Sequence, residues 1–255
     1  DVDGIVAIAR SGILPAAILA VSLHVPMWTV SPFSGVVSTG HGGRLKGQAE
    51  VRPKHLLVVD DTISSGAAMR ACLPRVGQAF PDARISRAAI YAKPKVANEV
   101  DLCMGLYGGL HYLEWNWHNA GHGQAAAFDF DGILCRDFTA AECADMQTYR
   151  DTMSRIEPLY LPRRTPVSMI VTARPESTRD LTEDWLVRHG VRCHRLEMWP
   201  GPWETPWHQI AAWKADHYGR SACALFAESD PRQAQVIYER TRRPVLCPQL
   251  GKVLG

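Results

Sequence analysis

Short apolar runs alternate with stretches of helical period along most of the chain. Ile5–Ala9 reads as a strand, Leu14–Leu23 as a helix entered near Pro15, and Val25–Val30 as a second strand candidate. Leu56–Val59 is wholly apolar, as in a parallel sheet covered on both faces; helix Ala67–Phe80 and strand Ile85–Tyr91 follow it. Residues 31–48 hold Gly, Ser, Lys and Arg without a period and read as a mobile loop. Residues 108–123 break the alternation, with room for a last strand, Tyr112–Trp115, and a linker. A second series then begins: strand 125–130, helical material near 139–155, strand 167–171, helix 177–189 and a strand near 191–196. It continues with helix 207–218, strand 222–227, helix 231–240 and strand 244–246. The expectation is an α/β chain of two consecutive parallel-sheet domains, residues 1–120 and 121–255, with helices on both sheet faces.

Composition narrows this picture. An apolar content of 46% over 255 residues is enough for two cores. A formal charge of +2 without a long basic run gives little support for a nucleic-acid groove. The seven cysteines form no CxxC and are odd in number, which fits reduced thiols in the cytoplasm better than a disulfide framework or a zinc site. No apolar run reaches membrane-spanning length, so no membrane partner is expected. The chain opens at Asp1-Val2-Asp3-Gly4 without Met, which leaves open a preceding segment such as a short leader. Pro200, Pro202 and Pro206 interleaved with Trp199, Trp203 and Trp207 form a stiff connector, either a surface loop with buried Trp or a loop that shapes a substrate site.

The first chemical signature is residues 55–66, His-Leu-Leu-Val-Val-Asp-Asp-Thr-Ile-Ser-Ser-Gly. A buried strand runs into Asp60-Asp61, and Thr62-Ile63-Ser64-Ser65-Gly66 opens a helix whose first N–H groups and dipole suit an anion. Two carboxylates beside a phosphate cradle make sense if they hold sugar hydroxyls or a divalent ion. This stretch resembles the phosphoribosyl-diphosphate (PRPP) signature of type I phosphoribosyltransferases, a likeness that extends over roughly residues 1–118. The resemblance implies that Asp60 and Asp61 contact the ribose 2′- and 3′-hydroxyls and that residues 62–66 wrap the 5′-phosphate. It places Arg10-Ser11-Gly12 in a pyrophosphate loop and residues 31–48 in a loop that closes over the reacting centre, where Arg44 and Lys46 could neutralise pyrophosphate. Lys93-Pro94 resembles the base-binding lysine of 6-oxopurine enzymes, and Tyr112–Trp117 their aromatic end. Lys93 and Trp115 are therefore acceptor-binding candidates, against surface lysine and packing tryptophan as the bland readings. One position departs from the oxopurine pattern: where an Asp is usual near purine N7, this chain has Ser64. That points toward an altered heterocycle or another acceptor. A homodimer through the first domain is compatible with the resemblance.

The second signature is residues 126–134, Ala-Ala-Phe-Asp-Phe-Asp-Gly-Ile-Leu. Asp129 and Asp131 share one side of an extended backbone, and Gly132 allows a sharp departure. One carboxylate can attack phosphorus while the other moves a proton, with a divalent cation to suppress repulsion. With Thr172 at the end of strand 167–171, then Lys214 and Asp230, the set resembles the haloacid dehalogenase-like phosphatases over residues 124–250. The resemblance implies Asp129 as the nucleophile, Asp131 as general acid and base, Thr172 holding a phosphoryl oxygen and Lys214 stabilising the intermediate. Mg2+ would lie among Asp129, the Asp131 carbonyl and Asp230, with Glu228 in support. Lys252 and nearby arginines are rivals for the lysine role, and Arg174 reads either as a substrate contact or as a solvated residue. About forty residues separate Asp131 from Thr172, too few for a large lid, so a minimal cap near 139–160 is expected.

Both resemblances imply Rossmann-like folds. Together they suggest a bifunctional enzyme of nucleotide metabolism: PRPP and a nucleobase-like acceptor would give a 5′-phosphoribosyl product, which the second site would dephosphorylate. Two other readings stay open. The phosphatase could act on a separate phosphorylated small molecule, nucleotide or polynucleotide end, or the first domain could be a PRPP or nucleotide sensor.

Overall fold

Apolar runs become the central strands of two sheets, one in each of two units, Asp1–Gly109 and Leu110–Gly255, in a computed structural model that describes residues 1–39, 52–109, 111, 113–119 and 125–255. The first unit contains β1 (Gly4–Ile8), α1 (Ile13–Leu23), β2 (Met27–Ser31), β3 (Ser34–Ser38) and β4 (His55–Ile63), then α2 (Ala67–Ala79), β5 (Arg84–Ala92) and β6 (Leu102–Leu106). The sheet order is β3-β2-β1-β4-β5-β6, parallel throughout except for the β2–β3 pair. Alternation along β1 sends Val6 and Ile8 into the core with Met69, Cys72 and Val76 of α2. It sends Ile5 and Ala7 to the other core, with Ala16 and Ala20 of α1. Each fully buried Ile or Val side chain contributes about 1.5–3 kcal/mol relative to exposure.

The second unit contains β7 (Ala126–Phe128), α3 (Met146–Met153), β8 (Met169–Pro175), α4 (Arg179–Arg188) and β9 (Leu196–Trp199). It continues with α5 (Trp207–Arg220), β10 (Leu225–Ala227), α6 (Pro231–Thr241), β11 (Val245–Cys247) and β12 (Lys252–Leu254). Its order is β12-β11-β10-β7-β8-β9, with only β12 antiparallel. Phe128, Phe130 and Ile170 pack on Trp185 of α4; Ala127, Met169 and Val171 pack on Ala215 and Tyr218 of α5 and Ile237 of α6.

Strand order fixes where a ligand can enter. In the first sheet, β1 crosses over to β2 on one side and β4 to β5 on the other, so the loops after β1 and β4 diverge. In the second sheet, β7 leads to β8 on one side and β10 to β11 on the other. A crevice opens at the carboxyl ends of the strands at such a reversal. The two crevices lie at Arg10-Ser11-Gly12 with Asp60-Asp61, and at Asp129 with Glu228-Ser229-Asp230.

The structure differs from the sequence expectations in several places. Part of the expected loop 31–48 is β3, an edge strand that inserts only Val36 toward the α2 core; its small polar residues conceal it. β4 is longer than Leu56–Val59 and carries both aspartates and Thr62 inside the ladder, with Asp60 opposite Ala89 and Thr62 opposite Tyr91. The last strand of the first sheet is β6, not Tyr112–Trp115. Residues 114–116 form a turn, and Tyr112 lies outside the described residues. Trp117 packs on Phe128 and Tyr160, with ring centroids 5.5 and 5.1 Å away, so residues 113–119 go with the second unit rather than ending the first. The terminal β12 was not anticipated. Between β7 and β8, the expected small insert has a short helical turn at Ala141–Cys143 and α3, whose Tyr149 meets the connector residue Trp203 at 4.1 Å.

Candidate active sites

In the first unit, Gly12 brings the loop after β1 against the end of β4. A Cβ there would lie 2.5 Å from the Val59 carbonyl oxygen and 3.0 Å from Asp60 Cα, so any side chain would push the loop away from the carboxylates. Arg10 and Ser11 in this loop are exposed, and the Ala9–Arg10 peptide is cis. Asp60 and Asp61 are 7% and 6% exposed, and Asp60 Oδ1 accepts from the Asp61 N–H at 2.9 Å. Burial, reinforced by the Asp61 charge, pushes the Asp60 carboxyl up to about 7.

The following loop is braced from behind. Arg70 of α2 donates to the Ser65 carbonyl at 2.9 Å and pairs with Glu99. Ile63 turns its side chain into the core, and its carbonyl accepts from the Lys93 N–H at 2.9 Å. Ser64 hydrogen-bonds the phenol of Tyr107, a buried residue that the sequence reading missed. The Lys93 ammonium stands 5.8 Å from the Tyr107 ring centroid, so Lys93, Tyr107 and Ser64 are neighbours. Trp115 falls in the other unit and is 36% exposed. Arg44 and Lys46 lie outside the described residues.

Unfolded, Asp60 releases its proton near 3.8, whereas the folded protein holds it to about 7. The folded state therefore binds the extra proton between these values, and stability falls as pH rises from about 4 to about 7 and then levels. Asp60→Asn is expected to remove this part of the slope in denaturant unfolding measured across that range. An unchanged slope in the variant would contradict the burial-driven titration of Asp60.

In the second unit, a cavity of about 540 Å3 is lined by Asp129, Asp131, Asp137, Lys214, Ser229 and Asp230, among others. Lys214 is fully buried on α5 and donates to Asp129 Oδ2 at 2.7 Å and Glu228 Oε2 at 2.8 Å. Burial opposes its charge, yet the two carboxylates hold its ammonium well above the usual lysine range. Burial also raises both carboxyls, Glu228 to about 8, with Lys214 pulling the other way. The three groups act as one unit with two acidic members and one base.

Asp131 has a different partner. Arg174, itself fully buried, donates to Asp131 Oδ1 from Nη2 at 2.6 Å and from Nε at 3.0 Å. Its guanidinium lies over the Phe130 ring at 3.7 Å. Arg174 is thus not a solvated residue. Thr172 is also fully buried; its Oγ1 accepts from the Arg174 N–H at 3.2 Å, and Ala173 rather than Thr172 lines the cavity. The Asp131 carbonyl accepts from Ser229 Oγ at 3.1 Å. That contact depends on Gly132, at φ 74°, where a Cβ would come within 2.2 Å of Ser229 Oγ.

Asp137, which the sequence reading did not single out, shares the cavity. Its carboxyl is raised by burial and by the charges of Asp131, Asp129 and Asp230. Asp230 caps α6, accepting from the Arg232 N–H at 2.8 Å and pairing with the Arg232 guanidinium at 2.9 Å. Among the described residues, no group of three or more His, Cys, Asp or Glu side chains is arranged as a metal site. Asp129, Asp131 and Asp230 line one cavity without their carboxylates meeting at one point. Lys252 lies on the edge strand β12 and is exposed.

Part of the chain is similar to solved structures of phosphoribosyltransferases, a distant and partial likeness. One is a purine phosphoribosyltransferase from Pyrococcus horikoshii Ot3, at 22% identity and TM-score 0.35, over 45% of this chain and 77% of that one. Another is the orotate phosphoribosyltransferase from Aeropyrum pernix, at 18% identity and TM-score 0.32, over 41% of this chain. The chain spans only 59% of that enzyme's length. A third is the Helicobacter pylori xanthine-guanine-hypoxanthine phosphoribosyltransferase, at 18% identity and TM-score 0.29, over 40% of this chain and 67% of that one. No family model matches the chain. No helix among the described residues is long and apolar enough to cross a membrane.

Proposed function

We propose that the chain is a bifunctional enzyme that transfers phosphoribose from PRPP to a base-like acceptor and then removes the 5′-phosphate at a second, haloacid dehalogenase-like site. The observation that carries this reading is that each aspartate signature stands where strand order reverses in its own sheet, at the carboxyl ends of the strands. In the first unit, Asp60 and Asp61 would take the ribose hydroxyls, and the Thr62–Gly66 loop, braced by Arg70, would take the 5′-phosphate. Arg10 and Ser11 would face the pyrophosphate, and Lys93 with Tyr107 would bound the acceptor. Ser64, held by Tyr107, leaves the acceptor a hydroxyl rather than a carboxylate, which favours a heterocycle other than a standard 6-oxopurine.

In the second unit, Asp129 would attack phosphorus, forming an aspartyl phosphate while the alcohol leaves. Asp131, oriented by Arg174, would give the leaving oxygen a proton and later take one from the attacking water. Lys214 would offset negative charge beside Asp129. The donor set is all oxygen and crowded with carboxylates, which fits Mg2+ held by Asp129, the Asp131 carbonyl and Asp230. When bound, the ion would neutralise charge on the transferring phosphoryl group. The insert carrying α3 is small enough to leave this site sparsely capped, as a minimal cap would. Seven free thiols suit a reducing, cytoplasmic setting. Hydrolysis of the phosphoribosyl product would draw a reversible transfer forward, and covalent linkage would raise the local concentration of the intermediate.

The test is incubation with PRPP, Mg2+ and a panel of nucleobases and related heterocycles, with mass spectrometry for ribosides with and without the 5′-phosphate. Asp60→Asn/Asp61→Asn is expected to abolish PRPP-dependent pyrophosphate release while leaving phosphatase turnover of added ester intact. Unchanged PRPP turnover in the double variant would remove the ribose assignment.

A further inference from the structure

The phosphatase cavity holds more than its reaction requires. Besides the aspartates and Lys214 it is lined by Phe138, Arg232, Gln233 and Gln249, and its volume of about 540 Å3 is that of a small-molecule site. The cations in it are already paired. Lys214 is taken by Asp129 and Glu228, and Arg232 is held by Asp230 through two contacts, 2.9 and 3.2 Å. Among the described residues lining the cavity, four aspartates face two cations, both of them paired. A second phosphate on the substrate would therefore meet carboxylates without a spare cation, and like charges brought together across an interface weigh heavily against binding.

The uncharged groups indicate what does fit. Gln233 Oε1 is buried with no hydrogen-bond partner, an acceptor that a ligand hydroxyl or N–H would satisfy. Gln249 donates to Asp137 at 3.3 Å, a long contact. Phe138 lines the cavity with its ring packed on Tyr149 at 4.6 Å, and the Arg232 guanidinium lies over the Trp207 ring at 5.0 Å. We propose that this cavity takes the monophosphate ester of a neutral, hydroxyl-bearing body with a flat ring, a nucleoside 5′-monophosphate or close analogue, and rejects bisphosphates and polynucleotide ends. The proposal rests on the phosphatase reading above and names its substrate class.

The experiment measures inorganic phosphate released by the full chain with Mg2+ from four probes. These are inosine 5′-monophosphate, adenosine 3′,5′-bisphosphate, a 5′-phosphorylated oligonucleotide and p-nitrophenyl phosphate. The expected kcat/KM for the nucleoside monophosphate exceeds those for the bisphosphate and the oligonucleotide by on the order of a hundredfold. Gln233→Leu is expected to raise the ratio of KM for inosine monophosphate to KM for p-nitrophenyl phosphate by about threefold to tenfold. Bisphosphate or oligonucleotide turnover within about threefold of the monophosphate, or an unmoved KM ratio in Gln233→Leu, overturns the substrate class if release still depends on Asp129. Absence of phosphate release from every probe overturns the phosphatase reading and this proposal together.

Discussion

Asp129→Asn is expected to lower phosphate release from every ester by about four orders of magnitude or more, with pyrophosphate release from PRPP unchanged. The amide keeps the shape of the side chain but cannot form the acyl phosphate. Folding should survive, because Lys214 keeps its contact with Glu228 at 2.8 Å, and removing the Asp129 charge, which helps to raise the Glu228 carboxyl, favours the ionised form of Glu228 as the counter-charge. The unfolding midpoint is accordingly expected to stay within a few degrees of the wild type. Phosphate release and pyrophosphate release measured side by side provide the check: loss of both activities would end the case for two independent sites. A variant that keeps phosphatase turnover would move the nucleophile elsewhere, and Asp131 would be the next residue to examine.

Lys214→Met is expected to have the largest effect on stability. It leaves Asp129 and Glu228, 5% and 0% exposed, without the ammonium that lies between them. Breaking a buried ion pair from one side costs about 3–5 kcal/mol. In a unit of this size that lowers the midpoint of thermal unfolding by on the order of 10 °C at pH 7. Stability of the wild type through Glu228 has its own pH dependence. The folded protein holds this proton to about 8, the unfolded chain releases it near 4.5, and stability from this group falls as pH rises across that window. Without Lys214 the carboxyls are driven further toward their protonated forms, so the deficit of the variant should shrink as pH falls from the alkaline side toward about 8, where the wild-type Glu228 takes up its own proton. Calorimetry of both proteins across this range would measure it. A deficit that does not change with pH would assign the loss to packing of the lysine stem rather than to uncompensated charge.

How much of this was legible beforehand depends on whether a feature is local. The central strands were legible because each is covered on both faces and carries an unbroken apolar run, as at Leu56–Val59 and Met169–Val171. The edge strands β3, β6 and β12 were not. Each has a neighbour on one side only, and Ser34–Ser38 or Lys252–Leu254 packs too little apolar surface to leave a period. Gly12 and Gly132 were readable as turn residues, but not the contacts that require them, with Val59 and Ser229 respectively.

The chain order by itself determined that two pairs of aspartates follow apolar strand residues and lead into turns, at Thr62–Gly66 and at Gly132, because the passage from a buried strand to a turn is written in neighbouring residues. Only the tertiary structure decided what neutralises and orients those carboxylates. Arg174 reaches Asp131 from the adjacent strand, Lys214 enters between Asp129 and Glu228 from a helix packed across the sheet, and Tyr107 meets Ser64 from beyond the last strand of its sheet. A buried charge takes its partner from whichever element packs over it, and that distance is set by strand order and crossover direction, not by separation along the chain.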